Sequence, residues 1–215
     1  MFITFEGIDG SGKTTQINLL HNYLSAVGRR VLLTREPGGT SIGTGLRNIV
    51  LDPANTKMSA RTEILIYAAD RAQHVDEVIR PALDEGYIVI CDRYTDSTVA
   101  YQHYGRGLPS DLIDKLNIEA TQGLMPDITF YMSLTARAAA NRFISRKEMT
   151  SAVSLDRLEN ESSAFHEKVC AGFEALADLY PDRIIRIDAS GTVDNTWTQI
   201  KRHMDTVLAN PSIDF

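Results

Sequence analysis

The stretch Gly7-Ile8-Asp9-Gly10-Ser11-Gly12-Lys13-Thr14 decides the fold of this chain. It has the pattern G-x-x-x-x-G-K-[ST], in which a glycine-rich turn leads into a helix whose first N–H groups point at phosphate oxygens. Residues 2–5 before it read as a buried strand, and residues 13–27 after it read as a helix. A chance glycine turn is the alternative, but it would not need a strand and a helix on its two sides. The stretch therefore predicts a phosphate-binding loop. The apolar positions that we expect on one face of the helix are Ile17, Leu20, Leu24 and Val27.

Three side chains of this loop have predicted chemical roles. Lys13 would reach the outer phosphates of a nucleotide, and the Thr14 hydroxyl would hold Mg²⁺. Asp9 is unusual, because its carboxylate would repel phosphate unless Mg²⁺, a basic segment or a sugar hydroxyl compensates, and we take it as a functional residue. The predicted nucleotide-binding residues are Gly7, Ile8, Asp9, Gly10, Ser11, Gly12, Lys13, Thr14 and Thr15.

Four further apolar runs predict strands, at residues 30–34, 87–91, 128–132 and 183–187. They are nearly continuous rather than alternating, which is typical of strands buried on both faces. Helical patterns cover residues 59–83, 97–104, 109–121, 135–145, 155–179 and 194–208. This alternation predicts an α/β chain with a five-stranded parallel sheet flanked by helices. In such sheets, ligands bind beyond the carboxyl ends of the strands.

Length and composition limit the class of protein. With 215 residues and 43% hydrophobic content, we expect a single domain over residues 1–209 and a loose tail at residues 210–215. The formal net charge of -6 argues against binding a nucleic-acid polymer. No apolar run reaches the length of a membrane span and no signal peptide precedes the first strand, so we expect a cytoplasmic location without membrane attachment. The two cysteines, Cys91 and Cys170, imply no disulfide framework.

Polar residues lie at the expected ends of the strands. Asp92 follows the third strand and suits Mg²⁺, although a turn or cap aspartate is the alternative. The fork of Arg93 suits a second phosphate, although a structural ion pair would also use it. Arg71 and Tyr67 share one helix face, and Tyr67 fits a binding pocket and the core equally well.

A basic segment lies near residues 141–147 and contains Arg142, Arg146 and Lys147. It reads either as the charged end of a helix or as part of a lid, at about residues 142–155, that brings positive charge to a phosphoryl group. The sequence leaves both interpretations open.

Four stretches together resemble the thymidylate kinase family. They are Phe5-Glu6-Gly7 through Thr15, Thr34-Arg35-Glu36-Pro37-Gly38-Gly39-Thr40, Asp92-Arg93-Tyr94 with Ser97 and Ala100-Tyr101-Gln102, and Asp156-Arg157-Leu158-Glu159. The first stretch is common to many nucleotide triphosphatases and kinases, but the second and third are more specific. The resemblance implies a three-layer P-loop kinase fold, ATP as phosphate donor, dTMP as acceptor, Mg²⁺ as the metal, and a homodimer. The reaction it implies gives ADP and dTDP.

The resemblance also implies roles for the acceptor side. Arg93 would grip the acceptor phosphate with help from Arg47, Tyr67 would stack on thymine, and Arg71 would bond to the base. The ring of Tyr101 would crowd the 2′ position of the sugar. The implied substrate-binding residues are Glu36, Pro37, Arg47, Tyr67, Arg71, Arg93, Ser97, Thr98, Tyr101 and Gln102.

The P-loop carries Asp9 and no arginine, so it resembles family members whose catalytic arginine lies in the lid. Arg142 and Arg146 are the candidates, with Lys147 behind them. The implied catalytic residues are Lys13, Arg93, Asp9, Arg142 and Arg146, and the implied metal-binding residues are Thr14 and Asp92.

Two other functions fit the loop alone. One is a kinase for another small acceptor, and the other is a nucleotide-dependent switch. A switch of the GTPase type would carry a base-reading Asn-Lys-x-Asp after the fourth strand, where this chain has Ser133-Leu134-Thr135.

Overall fold

The computed structural model describes residues 1–149 and 155–209, without the side chains of residues 143–149. Its strands are β1 (Phe2–Glu6), β2 (Val31–Arg35), β3 (Ile88–Asp92), β4 (Ile128–Ser133) and β5 (Ile184–Asp188). They pair in parallel in the order β2-β3-β1-β4-β5. The prediction of a five-stranded parallel sheet flanked by helices is confirmed.

Nine α-helices occur in the described part of the chain. They are α1 (Lys13–Ala26), α2 (Ser41–Leu51), α3 (Ala60–His74), α4 (Arg80–Asp84), α5 (Thr95–Thr98), α6 (Ser110–Thr121), α7 (Ala136–Met149), α8 (Ser163–Leu179) and α9 (Val193–Leu208). Two π-helical segments, Val75–Ile79 and Val99–Gly105, follow α3 and α5 without a break. None of the described helices is long and apolar enough to cross a membrane.

The core lies on both faces of the sheet because the side chains of β1 alternate. Phe2 packs with Val75, Ile79 and Val89 in one buried cluster. Ile3 and Phe5 belong to a larger cluster that extends into α1, α8 and α9. The two layers of helices thus hold β1 in the centre, with the phosphate-binding loop at its carboxyl end.

The edges of the sheet differ from the sequence prediction. No side chain of β2 is fully buried and Leu33 is exposed, whereas β5 buries Ile184 and Ile187 and leaves Arg186 exposed; each of these strands pairs on one side only. Val27 was expected on the buried face of α1, but it is half exposed at the C-terminal cap, whereas Leu20 and Leu24 are fully buried.

The sequence predictions missed one helix and placed the start of another too early. Helix α2 was not expected, because Gly43 and Gly45 weaken its helical pattern. Thr40 caps this helix by accepting a hydrogen bond from the Gly43 N–H at 2.8 Å. A Cβ at Gly43 would come within 2.4 Å of Asp70 Oδ1, so packing explains this glycine.

The predicted helix over residues 155–179 begins only at Ser163. The Asp156 carboxylate accepts the N–H groups of Leu158 and Glu159 at 2.8 Å each, and the Glu159 carboxylate accepts the Asp156 N–H at 2.9 Å. Side chains thus close a separate turn, and Ser162 then caps α8. The predicted lid at 142–155 lies partly outside the described residues, and the predicted tail at 210–215 lies wholly outside them.

Candidate active site

The phosphate-binding loop turns sharply between β1 and α1. Gly7 has φ 133° and Gly12, at the N-cap of α1, has φ 92°, a region that favours glycine. A Cβ on Gly7 would also lie 2.8 Å from the carbonyl oxygen of Met132 on β4. The glycines therefore let the loop lie against the sheet with the start of α1 open to a ligand.

Lys13 is buried beneath this loop. Its Nζ donates to the carbonyl oxygens of Gly7 at 2.9 Å and Ile8 at 3.1 Å, and lies 4.0 Å from Asp9 Oδ1. Burial and the positive charge of Arg93 lower the pKa of Lys13. The neighbouring Thr14 is exposed, with its side chain available to a ligand.

Arg93 links the loop to the end of β3. Its Nη2 donates to Asp9 Oδ1 at 2.9 Å and its Nη1 donates to Ser97 Oγ at 3.2 Å. Burial would raise the pKa of Asp9, but the charges of Arg93 and Lys13 outweigh it and hold that pKa well below its usual range. Arg93 itself has φ 72°, which a side-chain-bearing residue rarely adopts.

The buried carboxyl group of Glu6 holds this unusual turn. It accepts the Tyr94 N–H at 2.7 Å and the Ser97 hydroxyl at 2.5 Å, while the Arg93 N–H donates to the Phe5 carbonyl at 3.0 Å. The described hydrogen bonds of the Glu6 side chain thus go to the segment after β3. Burial and the charge of Asp96 raise the pKa of Glu6 to about 8.

A second buried carboxylate fixes Arg71. The Glu36 Oε2 accepts from Arg71 Nε at 2.8 Å, and Glu36 Oε1 lies 3.0 Å from His74 Nδ1. The other ring nitrogen of His74 lies 2.5 Å from the Thr34 hydroxyl. A series of hydrogen bonds thus runs from Thr34 through His74 and Glu36 to Arg71. The sequence does not single out His74, because a lone histidine inside a helix belongs to no motif.

The acceptor-side residues converge. All ten residues that the sequence predicts to bind substrate line one cleft beside α3 and the Val99–Gly105 segment, and we name it the acceptor cleft. A neighbouring cleft, which we name the P-loop cleft, is lined by Gly12, Lys13, Thr14 and Asp92. The two clefts share Asp9, Glu36, Arg47 and Arg93. Two ligands bound in them would therefore meet at the pair formed by Asp9 and Arg93.

Known proteins are similar to this chain in sequence and in fold. The model of the family described as Thymidylate kinase matches residues 5–200. The chain belongs to the thymidylate kinase family. It is 49% identical over 208 residues to the thymidylate kinase of Gloeobacter violaceus, covering 97% of this chain and 96% of that one. It is 50% identical over 196 residues to that of Geotalea daltonii, covering 91% and 92%. A crystal structure of thymidylate kinase from Ehrlichia chaffeensis has a TM-score of 0.75 and 36% identity, and covers 95% of this chain and 98% of that one.

Both aromatic residues expected from the family resemblance line the acceptor cleft. Tyr101 is almost fully buried, and the guanidinium carbon of Arg93 lies 5.1 Å from the centre of its ring. Tyr67 lines the cleft and also packs against the core, so it lies at the boundary between the binding pocket and the core that the sequence left as alternatives. Burial raises the pKa of both phenols well above its usual value.

The remaining predicted residues lie in three places. Asp92 lines the P-loop cleft, where its buried Oδ1 has no hydrogen-bond partner among the described residues. Arg47 donates to the Pro37 carbonyl at 2.8 Å between the two clefts. Arg142, on α7, donates at 2.6 Å to the Ala189 carbonyl oxygen on the loop after β5. The side chains of Arg146 and Lys147 lie outside the described part of the structure.

The raised pKa of Glu6 predicts a pH dependence of stability. Between pH 4.5 and about 8, the unfolded chain has released the Glu6 proton that the folded chain retains, so the free energy of unfolding should fall as the pH rises. Glu6→Gln removes this titration and should make the decline shallower. Urea unfolding across that pH range measures both slopes, and equal slopes for the two proteins would contradict the prediction.

Proposed function

We propose that ATP and dTMP bind end to end in the two clefts and that the phosphoryl group passes between them beside Asp9 and Arg93. As a member of its family, the enzyme transfers the terminal phosphoryl group of ATP to dTMP, giving ADP and dTDP. The observation that carries the proposed arrangement is that the predicted acceptor residues line one cleft, and that this cleft shares Asp9, Arg47 and Arg93 with the P-loop cleft.

On the donor side, we assign the phosphates of ATP to the N–H groups of the loop and the first turn of α1. Those groups have no partners inside the helix, and the helix dipole favours an anion there. Lys13 would exchange the carbonyl oxygens of Gly7 and Ile8 for phosphate oxygens, which bear more negative charge.

On the acceptor side, we assign the phosphate of dTMP to Arg93 and Arg47. Arg93 is positioned by Ser97 and Asp9, so little side-chain freedom would be lost on binding. Asp9 would then lie between the acceptor phosphate and the sugar hydroxyl. Tyr101 lines the same cleft and would crowd a ribose 2′-hydroxyl, which favours deoxynucleotides.

Alignment and charge neutralisation supply most of the catalysis in this proposal. The acceptor phosphate is already anionic near neutral pH, so the reaction needs no strong general base. The site would hold the attacking oxygen of dTMP in contact with the phosphorus atom that is transferred, so the reaction would need no bimolecular encounter. The cations Lys13 and Arg93 would offset the negative charge that builds up on the phosphoryl oxygens.

Thr14 and Asp92 fit the Mg²⁺ that the family resemblance implies. In the part of the chain that the structure describes, the Asp92 Oδ1 is buried in the P-loop cleft without a hydrogen-bond partner, and an unpaired carboxylate oxygen suits a hard cation. Thr14 lines the same cleft and would offer its hydroxyl. When bound, Mg²⁺ would neutralise charge on the ATP phosphates.

Asp92→Asn should raise the Mg²⁺ concentration that gives half-maximal velocity by about tenfold, because an amide oxygen is a weaker ligand than a carboxylate. Steady-state kinetics at fixed ATP and dTMP would measure this. Asp111→Asn, at an exposed carboxylate on α6, is the matched control and should behave as wild type. Equal Mg²⁺ dependence for Asp92→Asn and the control would exclude the metal role.

The two clefts can be separated by variants at Lys13 and Arg93. Lys13→Ala should reduce kcat by at least about a hundredfold and leave dTMP binding nearly intact, whereas Arg93→Ala should weaken dTMP binding and leave ADP binding nearly intact. Calorimetric titration of each protein with each nucleotide gives the affinities, and a coupled assay for ADP gives kcat. If Arg93→Ala weakened ADP and left dTMP unchanged, the assignment of the clefts would be reversed.

For the lid, Arg142 and Arg146 remain our candidates for the cation that reaches the transferring phosphoryl. Arg142 could act there only after leaving the carbonyl oxygens of the Ala189–Gly191 loop, to which it now donates. That requirement favours Arg146, with Lys147 as its neighbour.

We further propose a homodimer formed by α2, α3 and α6, in a cytoplasmic enzyme. These helices pack side by side, and each leaves a large apolar side chain exposed: Ile42, Leu65 and Ile118. Leu65→Asp should shift the protein towards monomer in sedimentation equilibrium. Val27→Asp changes an equally exposed position on α1 and should leave the mass unchanged. A wild-type protein that sediments as a monomer would contradict the dimer.

A further inference from the structure

Glu63 is a buried carboxylate that the proposed mechanism does not use. It lies in the first turn of α3 and is only 1% exposed. Its Oε1 accepts from Gln102 Nε2 at 2.9 Å and Arg106 Nε at 3.1 Å. Its Oε2 accepts from Arg106 Nη2 at 3.0 Å and Arg157 Nη2 at 2.6 Å. These four donors occupy the acceptor sites of one ionised carboxylate.

The charge state of Glu63 fixes the amide of Gln102. Burial would raise the pKa of Glu63, but hydrogen bonds from Arg106 and Gln102 outweigh it, so the carboxylate stays ionised. An ionised carboxylate only accepts hydrogen bonds, and the amide must therefore turn its NH₂ group towards Glu63. The carbonyl Oε1 is the group that Gln102 retains for a ligand in the cleft that it lines.

Arg71 presents the opposite polarity in the same cleft. Its Nε donates to Glu36, its Nη1 donates to Thr98 and Asn117 at 2.9 Å each, and its Nη2 donates to the Tyr94 carbonyl at 3.0 Å. These bonds use four of the five N–H groups of a guanidinium, which leaves one donor on Nη2. The cleft thus offers one donor from Arg71 and one acceptor from Gln102.

We propose that Glu63 is a positioning residue that sets the hydrogen-bond polarity of the base end of the cleft, by holding Gln102 as an acceptor beside the donor Arg71. An imide edge, as in thymine and uracil, has a carbonyl acceptor next to a ring N–H donor and matches this pair. The corresponding edge of cytosine has an amino donor next to an unprotonated ring nitrogen and opposes both groups. The inference rests on the proposed placement of the base at Arg71 and Gln102.

This hydrogen-bond polarity gives specificity, because a base with the opposite polarity would bury polar groups without partners. Against cytosine, neither the donor of Arg71 nor the acceptor of Gln102 would find a partner on the base edge, and both would stay buried and unpaired. Without Glu63, the Gln102 amide could turn over and donate to the ring nitrogen of cytosine. The discrimination should then depend on Arg71 alone.

The test measures kcat/KM for dTMP, dUMP and dCMP with ATP as donor. Glu63→Gln offers Gln102 both a donor and an acceptor, and Glu63→Asp keeps the charge for the two arginines but shortens the reach to Gln102. Each should lower the dTMP-to-dCMP ratio by about tenfold, the worth of one hydrogen bond, and leave the dTMP-to-dUMP ratio unchanged. Ratios measured on one preparation do not depend on the fraction of folded enzyme, so lost stability does not mimic the effect.

Two further variants separate the possible explanations. Glu161→Gln also removes a partner of Arg106, at 2.6 Å, without a described bond to Gln102, and both ratios should stay at the wild-type values. Gln102→Leu should lower the dTMP-to-dCMP ratio. If Gln102→Leu lowers it and neither Glu63 variant does, the role of Glu63 is overturned while the proposed base site stands. If Gln102→Leu leaves it unchanged, the base lies elsewhere and both proposals fail.

Discussion

The pairing of β1 with β3 is the constraint on which the rest of the site depends. It sets the P-loop beside Arg93, because Phe5 pairs with Asp92 and the Arg93 N–H donates to the Phe5 carbonyl. Glu6 then bonds across the two strand ends, and Asp9 bonds to the guanidinium of Arg93 from the loop side. Donor and acceptor clefts are therefore tied to the same two neighbouring strands. A shift of either strand by one residue would separate the phosphate sites and turn their side chains to the other face.

Buried carboxylates position the polar groups of the acceptor cleft. Glu36 holds Arg71, Glu63 holds Gln102, and Glu6 holds the turn that carries Arg93. Burying a charged group is unfavourable, and removing one partner of a buried ion pair costs about 3–5 kcal/mol, whereas well-packed apolar groups often serve stability equally well. Stability alone does not explain three buried carboxyl groups around one cleft. Their common effect is to fix which way a cation or an amide points, and this lowers the entropy lost when a ligand binds.

Much of this arrangement follows from short-range sequence patterns. The loop before Lys13 and the apolar runs predict the sheet, because glycine requirements and burial on two faces act within a few residues. The family resemblance indicates the acceptor residues, which lie in four separate parts of the sequence, at residues 36–37, 47, 67–71 and 93–102. Helix α2 is not visible in the pattern, because Gly43 is required by its close contact with Asp70 rather than favoured by helix propensity. Glu63 and His74 escape it as well, since their partners lie more than 35 residues away in the sequence, at Gln102 and Glu36.

Several polar groups of the two clefts have poor partners within the described part of the chain. There, Asp92 Oδ1 has no hydrogen bond, Lys13 donates to backbone carbonyl oxygens of its own loop, and Arg93 has a strained backbone. Strain of this kind persists only where the surrounding structure imposes it, and here Glu6 and Ser97 do so. Phosphate oxygens and a cation would satisfy the donors and the acceptor together. Their binding in the P-loop cleft would then relieve unfavourable contacts that folding has already introduced there, while Glu6 and Ser97 continue to hold the backbone of Arg93.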